Sequence, residues 1–250
     1  MKAMVLEKLV DLRVESEPLR LVERPIPEPA AGEVRVRVTV CGVCHTELDE
    51  IEGRTPPPRL PMILGHQAVG FIDKLGAGVT TRQLGERVGV AWIFSACGEC
   101  HWCRQGLENL CPDFCATGRD ADGGYAEYMV VPAQFVYPIP TVFSDAEAAP
   151  LLCAGAIGYR SLSLTELKAD SVPLGLTGFG ASAHLVLKLV QHQFPAVPVY
   201  VFARSEKEQQ FALELGAAWA GGTEDQPPQL LAAVIDTTPA WCPVISAMRY

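Results

Sequence analysis

The sequence predicts an α/β chain in two parts, a β-rich part followed by a parallel-sheet unit. Three observations carry this reading. Residues 33–40 alternate strictly, with Val34, Val36, Val38 and Val40 set against Arg35, Arg37 and Thr39, which is the period of a half-buried strand. The first 150 residues are punctuated by Pro25, Pro27, Pro29, Gly32, Gly53 and Pro56 to Pro58, as short strands joined by turns require. Beyond Ser144 apolar strand-like runs alternate with helical periods, the βαβ order that builds a parallel sheet.

Taken in order, strands are expected at 33–40, 68–74, 86–93 and 128–137, and their brevity and frequent Gly and Pro predict a partly open barrel. Residues 145–160 read as Ala-rich helix, with Ser144 as N-cap and a break at Pro150. Next come a strand at 172–177, a helix at 181–193, a strand at 199–202, a helix at 206–215, a short third strand at 218–220 and a fourth at 232–236. Residues 237–250 open a further helix-like segment. The domains expected are 1–150 and 151–250, with the boundary inside 145–170, and there is no internal repeat.

A chain of 250 residues has room for two cores. A net charge of −9 and a pI near 5.1 argue against polyanionic partners, so no nucleic acid is expected. The first twenty residues carry Lys2, Glu7, Lys8, Asp11 and Arg13 and lack an apolar core of signal length. The apolar run 148–159 is too short for a membrane span. A cytoplasmic protein with no membrane partner is expected. Nine cysteines are many for such a compartment unless metals hold them.

Four of them, Cys97, Cys100, Cys103 and Cys111, form a C-x2-C-x2-C-x7-C run. Zn²⁺ takes four thiolates in a closed tetrahedron, and a short loop that wraps one ion needs such tight spacing. Two disulfides are the rival, but they require an oxidising compartment. An iron–sulfur cluster is the weaker rival: the spacing resembles some ferredoxin runs, but the Cys111-Pro112 dipeptide alone is poor evidence. Further on, Gly178, Gly180 and Ala183 make a G-x-G-x-x-A between an expected strand and an expected helix. This is the dinucleotide fingerprint: Gly178 for the tight turn, Gly180 for the approach of backbone to pyrophosphate, Ala183 for helix–strand packing. The pyrophosphate would lie on the helix N-terminus.

The stretch 96–128, with Gly106, Glu108, Asn109 and the later Gly123-Gly124-Tyr125-Ala126-Glu127-Tyr128, resembles the zinc-dependent medium-chain alcohol dehydrogenases. The resemblance implies an N-terminal GroES-like β-barrel, a C-terminal Rossmann unit, and a structural role for the four-cysteine zinc. Spacing alone does not join Cys44, His66 and Cys153. The family, however, carries G-V-C-H-T, G-H-E and L-C-A-G-type segments in this order, so the resemblance makes these three the ligands of a catalytic zinc, the second Zn²⁺ of the chain. It also gives Thr46 the proton-passing hydroxyl, His45 an approach to the cofactor pyrophosphate, and Trp92 a wall of the alcohol pocket. Cys41, Cys115 and Cys242 are left to pack as small apolar residues.

This sequence departs from the family pattern at three places. Gln67 stands where the family has a glutamate, which removes a negative charge and makes the zinc more electrophilic. Glu47 replaces the usual aspartate, a longer supporting arm. Asp49 stands where the proton relay often ends in histidine. At the end of the second Rossmann strand no acid binds the ribose. Arg204 stands there instead, either a partner for the 2′-phosphate of NADP or a solvated surface residue; the expectation leans to NADP over NAD.

The function implied is a zinc-dependent oxidoreductase that interconverts an alcohol and an aldehyde or ketone by hydride transfer with NAD or NADP, its substrate a small molecule. Relative to the family pattern, the fifth and sixth Rossmann strands and the return to the first domain are not found. A shortened member is therefore expected, with doubtful homo-oligomerisation and an open, aggregation-prone sheet edge. The alternative function is a catalytically weak or inactive zinc- and nucleotide-binding protein.

Overall fold

The alternating valines build the longest strand of the computed structural model, which describes residues 1–250 and divides into two units, Met1–Cys153 and Ala154–Tyr250. In the first unit β1 (Lys2–Leu6) pairs antiparallel with β2 (Leu19–Glu23), two strands with too little alternation to be expected from sequence. The next strand is β3 (Glu33–Cys41), which buries Val34 and Val36 completely. Burial of each valine contributes about 2 kcal/mol. On the other face Arg35 bonds Asp73 at 2.9 and 3.0 Å and lies over the Tyr128 ring. A two-turn helix, α1 (His45–Ile51), follows, then β4 (Met62–Ile63), which pairs with β1.

Four more strands complete the barrel sheet or flank it: β5 (Ala68–Leu75), β6 (Arg87–Val90), β7 (Ile93–Ser95) and β8 (Cys115–Ala116). With β9 (Tyr128–Pro132) and β10 (Val136–Pro138) the main sheet has the order β10-β6-β5-β3-β9, and β7 pairs only with β8. The unbroken strand expected at 86–93 is therefore two. Its carbonyls at Ala91 and Trp92 are taken by the hydroxyl and N–H of Thr117 at 2.7 and 2.9 Å, which removes them from the ladder. The strand expected at 128–137 also splits, at a 3-10 turn over Ala133–Phe135 entered from Pro132. Arg82 satisfies the freed carbonyls of Ala133 and Val136.

The helix expected at 145–160 breaks around Pro150, as expected. Ser144 caps α2 (Asp145–Ala148) through a reciprocal box with Glu147. A 3-10 turn then runs over Ala149–Leu152, and Cys153 has a non-helical backbone, φ −126 and ψ −78. The second unit opens with α3 (Ala154–Leu164) and continues as β11 (Leu174–Thr177), α4 (Ala181–Gln193), β12 (Val199–Phe202), α5 (Glu206–Glu214), β13 (Trp219–Gly221), β14 (Ala233–Asp236) and α6 (Trp241–Ala247). The four strands are parallel in the order β13-β12-β11-β14. This is the 3-2-1-4 arrangement of a doubly wound sheet, with its switch point between β11 and β14. Both β11 and β12 are buried throughout, as parallel strands covered on two faces must be. β11 starts two residues later than expected, since Val172 is exposed and Pro173 has no N–H to give. No helix is long and apolar enough to cross a membrane.

Candidate metal centres and nucleotide loop

The four-cysteine lobe has almost no regular structure: two single 3-10 turns, Cys103–Gln105 and Glu108–Leu110, between exposed loops. Its order comes from sulfur. The N–H groups of Cys97, Cys100 and Cys103 point at Cys111, Cys97 and Cys100 sulfurs at 3.4, 3.3 and 3.5 Å. The sulfurs of Cys97 lie 3.9 Å from Cys103 and 3.6 Å from Cys111, and all four stand within 4.8 Å of one another. A tetrahedron with metal–sulfur bonds of about 2.3 Å has an edge of about 3.8 Å, so the lobe is cut to one ion. These spacings are far beyond a disulfide bond of about 2.05 Å, and all nine cysteines are free. Backbone N–H groups of Glu99 and Cys100 pull the Cys97 thiol down to about 7, which favours the ligand form.

A second centre is gathered from three distant places within the first unit. Cys44 is the N-cap of α1: its sulfur accepts the Thr46 N–H at 3.4 Å, and Glu47 reaches back to the Cys44 N–H at 2.8 Å. His66 follows Gly65 between β4 and β5. Gly65 has φ +97, and a Cβ at Gly123 would fall 2.2 Å from its carbonyl oxygen. Those two glycines let the backbones close around the histidine. Cys153 sits in the break before α3. The sulfurs of Cys44 and Cys153 are 3.8 Å apart, again a tetrahedral edge, and the His66 ring completes the group within 4.8 Å. His66 Nδ1 lies 2.7 Å from Glu47 Oε1, a contact without hydrogen-bond alignment, and neither atom has another partner. This leaves Nε2 as the ring nitrogen free to bind an ion. Three protein ligands with a fourth place open is the donor set of a catalytic zinc.

The charges at this centre are strongly coupled. The hydrogen bond from Cys153 holds Cys44 down at about 3 against the opposing effect of burial, with help from His66 and Thr46. The same bond, then burial, raises Cys153 far above an ordinary thiol. Burial disfavours a charged His66, but its contacts with Cys44 and Glu47 outweigh that and lift it to about 9. At neutral pH Cys44 is thus the thiolate while Cys153 and His66 carry protons. A metal must displace both protons, so its affinity should rise with pH below about 9 and fall as the pH drops. The expected gradient is at least about tenfold per pH unit. Chelator competition at pH 6, 7 and 8 measures it, and a flat profile would contradict the ligand set.

The remaining residues around the centre are placed as follows. Thr46 Oγ1 and Cys44 Sγ are hydrogen-bonded at 3.4 Å. Asp49 does not bond Thr46; it is held by Arg54 Nε at 2.6 Å and lies 3.7 Å from His45 Nε2. The Trp92 ring meets His66 edge-on, centroids 4.9 Å apart at 78°. Gln67 is buried, its amide against Gly42. Cys41 is half-buried, and burial pushes it up to about 12. Cys242 is exposed rather than packed, a correction to the expectation for the left-over cysteines.

In the second unit Gly178 has φ +74 and its N–H bonds the Phe202 carbonyl at 2.8 Å. A Cβ there would meet Thr238 at 2.9 Å, whereas one on Gly180 would project into open space. Gly180 is the N-cap of α4, with no side-chain cap and no acid in the first turn. Ala183 is fully buried against the sheet. At the end of β12 Ala203 is buried, Arg204 is exposed, and Ser205 caps α5.

Sequence reasoning missed two groups. Thr177 and Thr238 both donate to Asp236 Oδ1 at the strand ends beside Gly178. Glu50 is completely buried on α1. The signal for Glu50 was its three-residue spacing from Glu47, legible only once 45–51 is known to be helix.

Residues 30–141 match the alcohol dehydrogenase GroES-like domain family. The chain is 44% identical over 241 residues to a probable alcohol dehydrogenase, AdhA, of Mycobacterium tuberculosis, covering 94% of this chain and 69% of that one. It is 38% identical to an alcohol dehydrogenase of Geobacillus stearothermophilus over 87% of this chain and 62% of the relative. The fold superposes on the E. coli CFT073 alcohol dehydrogenase rspB, solved with NADH, with TM-score 0.84 and 29% identity, over 95% of this chain and 69% of that one. A cobalt- and zinc-bound thermostable alcohol dehydrogenase of Pyrobaculum aerophilum gives TM-score 0.84 at 25% identity, over 95% and 70%. The barrel with a doubly wound α/β unit is the architecture that superposes on these alcohol dehydrogenases. This chain belongs to the medium-chain alcohol dehydrogenase family. It spans between three-fifths and seven-tenths of the length of these relatives.

Proposed function

We propose that the protein is a zinc-dependent dehydrogenase that interconverts a small alcohol with its aldehyde or ketone by hydride exchange with NAD(P). The first unit, 1–153, acts as the catalytic domain and the second, 154–250, binds the nucleotide. The observation that carries this reading is the convergence of Cys44, His66 and Cys153, three donors separated by 22 and 87 positions, at tetrahedral spacing. A zinc ion held there would supply Lewis acidity to the substrate oxygen. A second zinc in Cys97, Cys100, Cys103 and Cys111 would be structural, because that set is closed.

The chain's own groups do the rest. Thr46 can accept the alcohol proton, since its hydroxyl stands 3.4 Å from the Cys44 sulfur and an O–H both accepts and donates. Asp49, paired with Arg54 and near His45, stands at the solvent end of the proton path. Trp92 closes one side of the metal centre and excludes water. Neutral Gln67 leaves less negative charge beside the ligands than a glutamate would. The glycine turn at Gly178 and Gly180 and the open first turn of α4 receive the pyrophosphate, with Ala183 setting the packing distance. Nine cysteines, seven of them gathered in two metal-ligand sets, suit a reducing compartment such as the cytoplasm.

The test is spectrophotometric turnover of a panel of alcohols and aldehydes with NAD⁺ and NADP⁺, run beside elemental analysis. Two zincs per chain and nicotinamide reduction are expected. One zinc or none removes a site from the reading. Two zincs with no hydride transfer leaves a metal-binding protein without the activity.

Cofactor choice follows from Arg204. With no acid at the strand end and a guanidinium one residue beyond buried Ala203, the loop suits a 2′-phosphate. Arg204→Ala should weaken NADPH binding about tenfold, the scale of one charged hydrogen bond, and leave NADH unchanged. Fluorescence titration with both nucleotides reads the ratio, and an unchanged ratio makes Arg204 a surface residue only.

A further inference from the structure

α1 buries two carboxylates, and only one has a role in what precedes. Glu47 and Glu50 stand three positions apart on the helix and so share a face. Glu47 is 2% exposed and meets Cys44 and His66, whereas Glu50 is 0% exposed and neither of its oxygens meets a donor. A carboxylate so placed is strongly destabilising as an anion unless cations lie near it. One is Arg119, whose Nε is also buried without a partner. Arg119 follows Gly118, where a Cβ would fall 2.7 Å from the Gly65 N, so it borders the backbone that carries His66. Burial raises Glu50 to about 8 and repulsion from Glu47 adds to this, while His66 and Arg119 favour the charged form and Cys44 opposes it. The acid thus lies within electrostatic reach of two of the three ligands of the second centre.

We propose that Glu50 is a positioning residue of the metal centre, a buried acid that supplies from α1 the negative charge Gln67 does not supply from the position after the ligand histidine. The inference rests on the reading of Cys44, His66 and Cys153 as metal ligands. A divalent cation at those three and an anionic Glu50 stabilise one another across a water-free interior, where opposite charges interact most strongly. Arg119, paired with Asp120, acts on the acid only through its charge and limits the excess of negative charge. Glu50 touches neither substrate nor cofactor in this scheme. Its effect is on how firmly the ion is retained.

The experiment uses the full chain loaded with zinc and follows release to a colorimetric chelator. The four-cysteine zinc serves as an internal reference in the same molecule. Glu50→Gln keeps the shape and removes the charge. It should speed release of one equivalent about tenfold, the low end for loss of a support to a ligand, and leave the other equivalent untouched. Glu50→Asp keeps the charge and should release zinc near the parent rate. Parent-like release from Glu50→Gln overturns the proposal, as does equal acceleration in both variants, which would mark a shape effect. If Glu50→Gln retains neither zinc because it does not fold, Glu50→Asp decides: parent-like release supports the charge role and fast release overturns it. A parent that holds only the lobe zinc sinks the ligand reading and this inference with it. A parent with two zincs and an unaffected Glu50→Gln sinks Glu50 alone.

Discussion

Cys153→Ala should remove one zinc equivalent of two and reduce alcohol turnover by more than about a hundredfold, beyond the range for removing a mere support of a ligand. Cys153 is the only donor of the second centre that comes from beyond the barrel strands, and it sits in a break between helices where its backbone bonds little else. The barrel core of Val34, Val36, Val88, Val90 and Val131 does not depend on it, so the fold should survive. Elemental analysis and turnover on the same sample separate the outcomes. Retention of both zincs, or full activity with one, would refute the assignment. Cys44→Ala is the less clean choice, because it also removes the cap of α1.

Cys103→Ala should have the opposite signature, with loss of the lobe zinc and of the lobe itself. Between Cys97 and Cys111 only Cys103 and Cys111 are buried among the apolar side chains, while Trp102 and Leu110 face solvent. No core is available to hold the segment once its ion is gone. Structural zinc sites of this type contribute on the order of 10 kcal/mol of folding free energy, so residues 97–111 should become cleavable by protease while the main sheet stays protected. Limited proteolysis followed by mass measurement reads this directly. A variant as resistant as the parent would show that the lobe needs no metal.

Much of the fold was legible because it rests on period. The alternation in β3, the turn glycines and the βαβ order in the second unit all write burial into the sequence. β1 and β2 were not legible, since Leu19–Glu23 is largely exposed and has no buried face to mark it. The break at Ala91-Trp92 was missed for a different reason, while the one expected at Pro150 is present and runs on to Cys153. The first depends on a distant partner, Thr117, that local pattern does not encode. The four-cysteine group was readable from spacing alone. The Cys44, His66 and Cys153 group was readable only through resemblance to a family, because sequence distance says nothing of where three loops meet. The relay position of Asp49 was a matter of place in a pattern, and its side chain is held by Arg54.

The two sulfur groups also differ in when the chain can assemble them. Cys97 to Cys111 closes a loop of about 15 residues and Cys44 to Cys153 one of about 110, a difference of about 1.8 kcal/mol in closure entropy alone. A ribosome that has released residue 111 has already delivered every sulfur of the lobe, whereas Cys153 emerges only after the last strand of the barrel sheet, β10. The chain therefore presents a finished thiolate cage to the cell's metal supply while its other centre is still two separate fragments. The cage that forms first does so from local segments, and the one that forms last records that the barrel has closed.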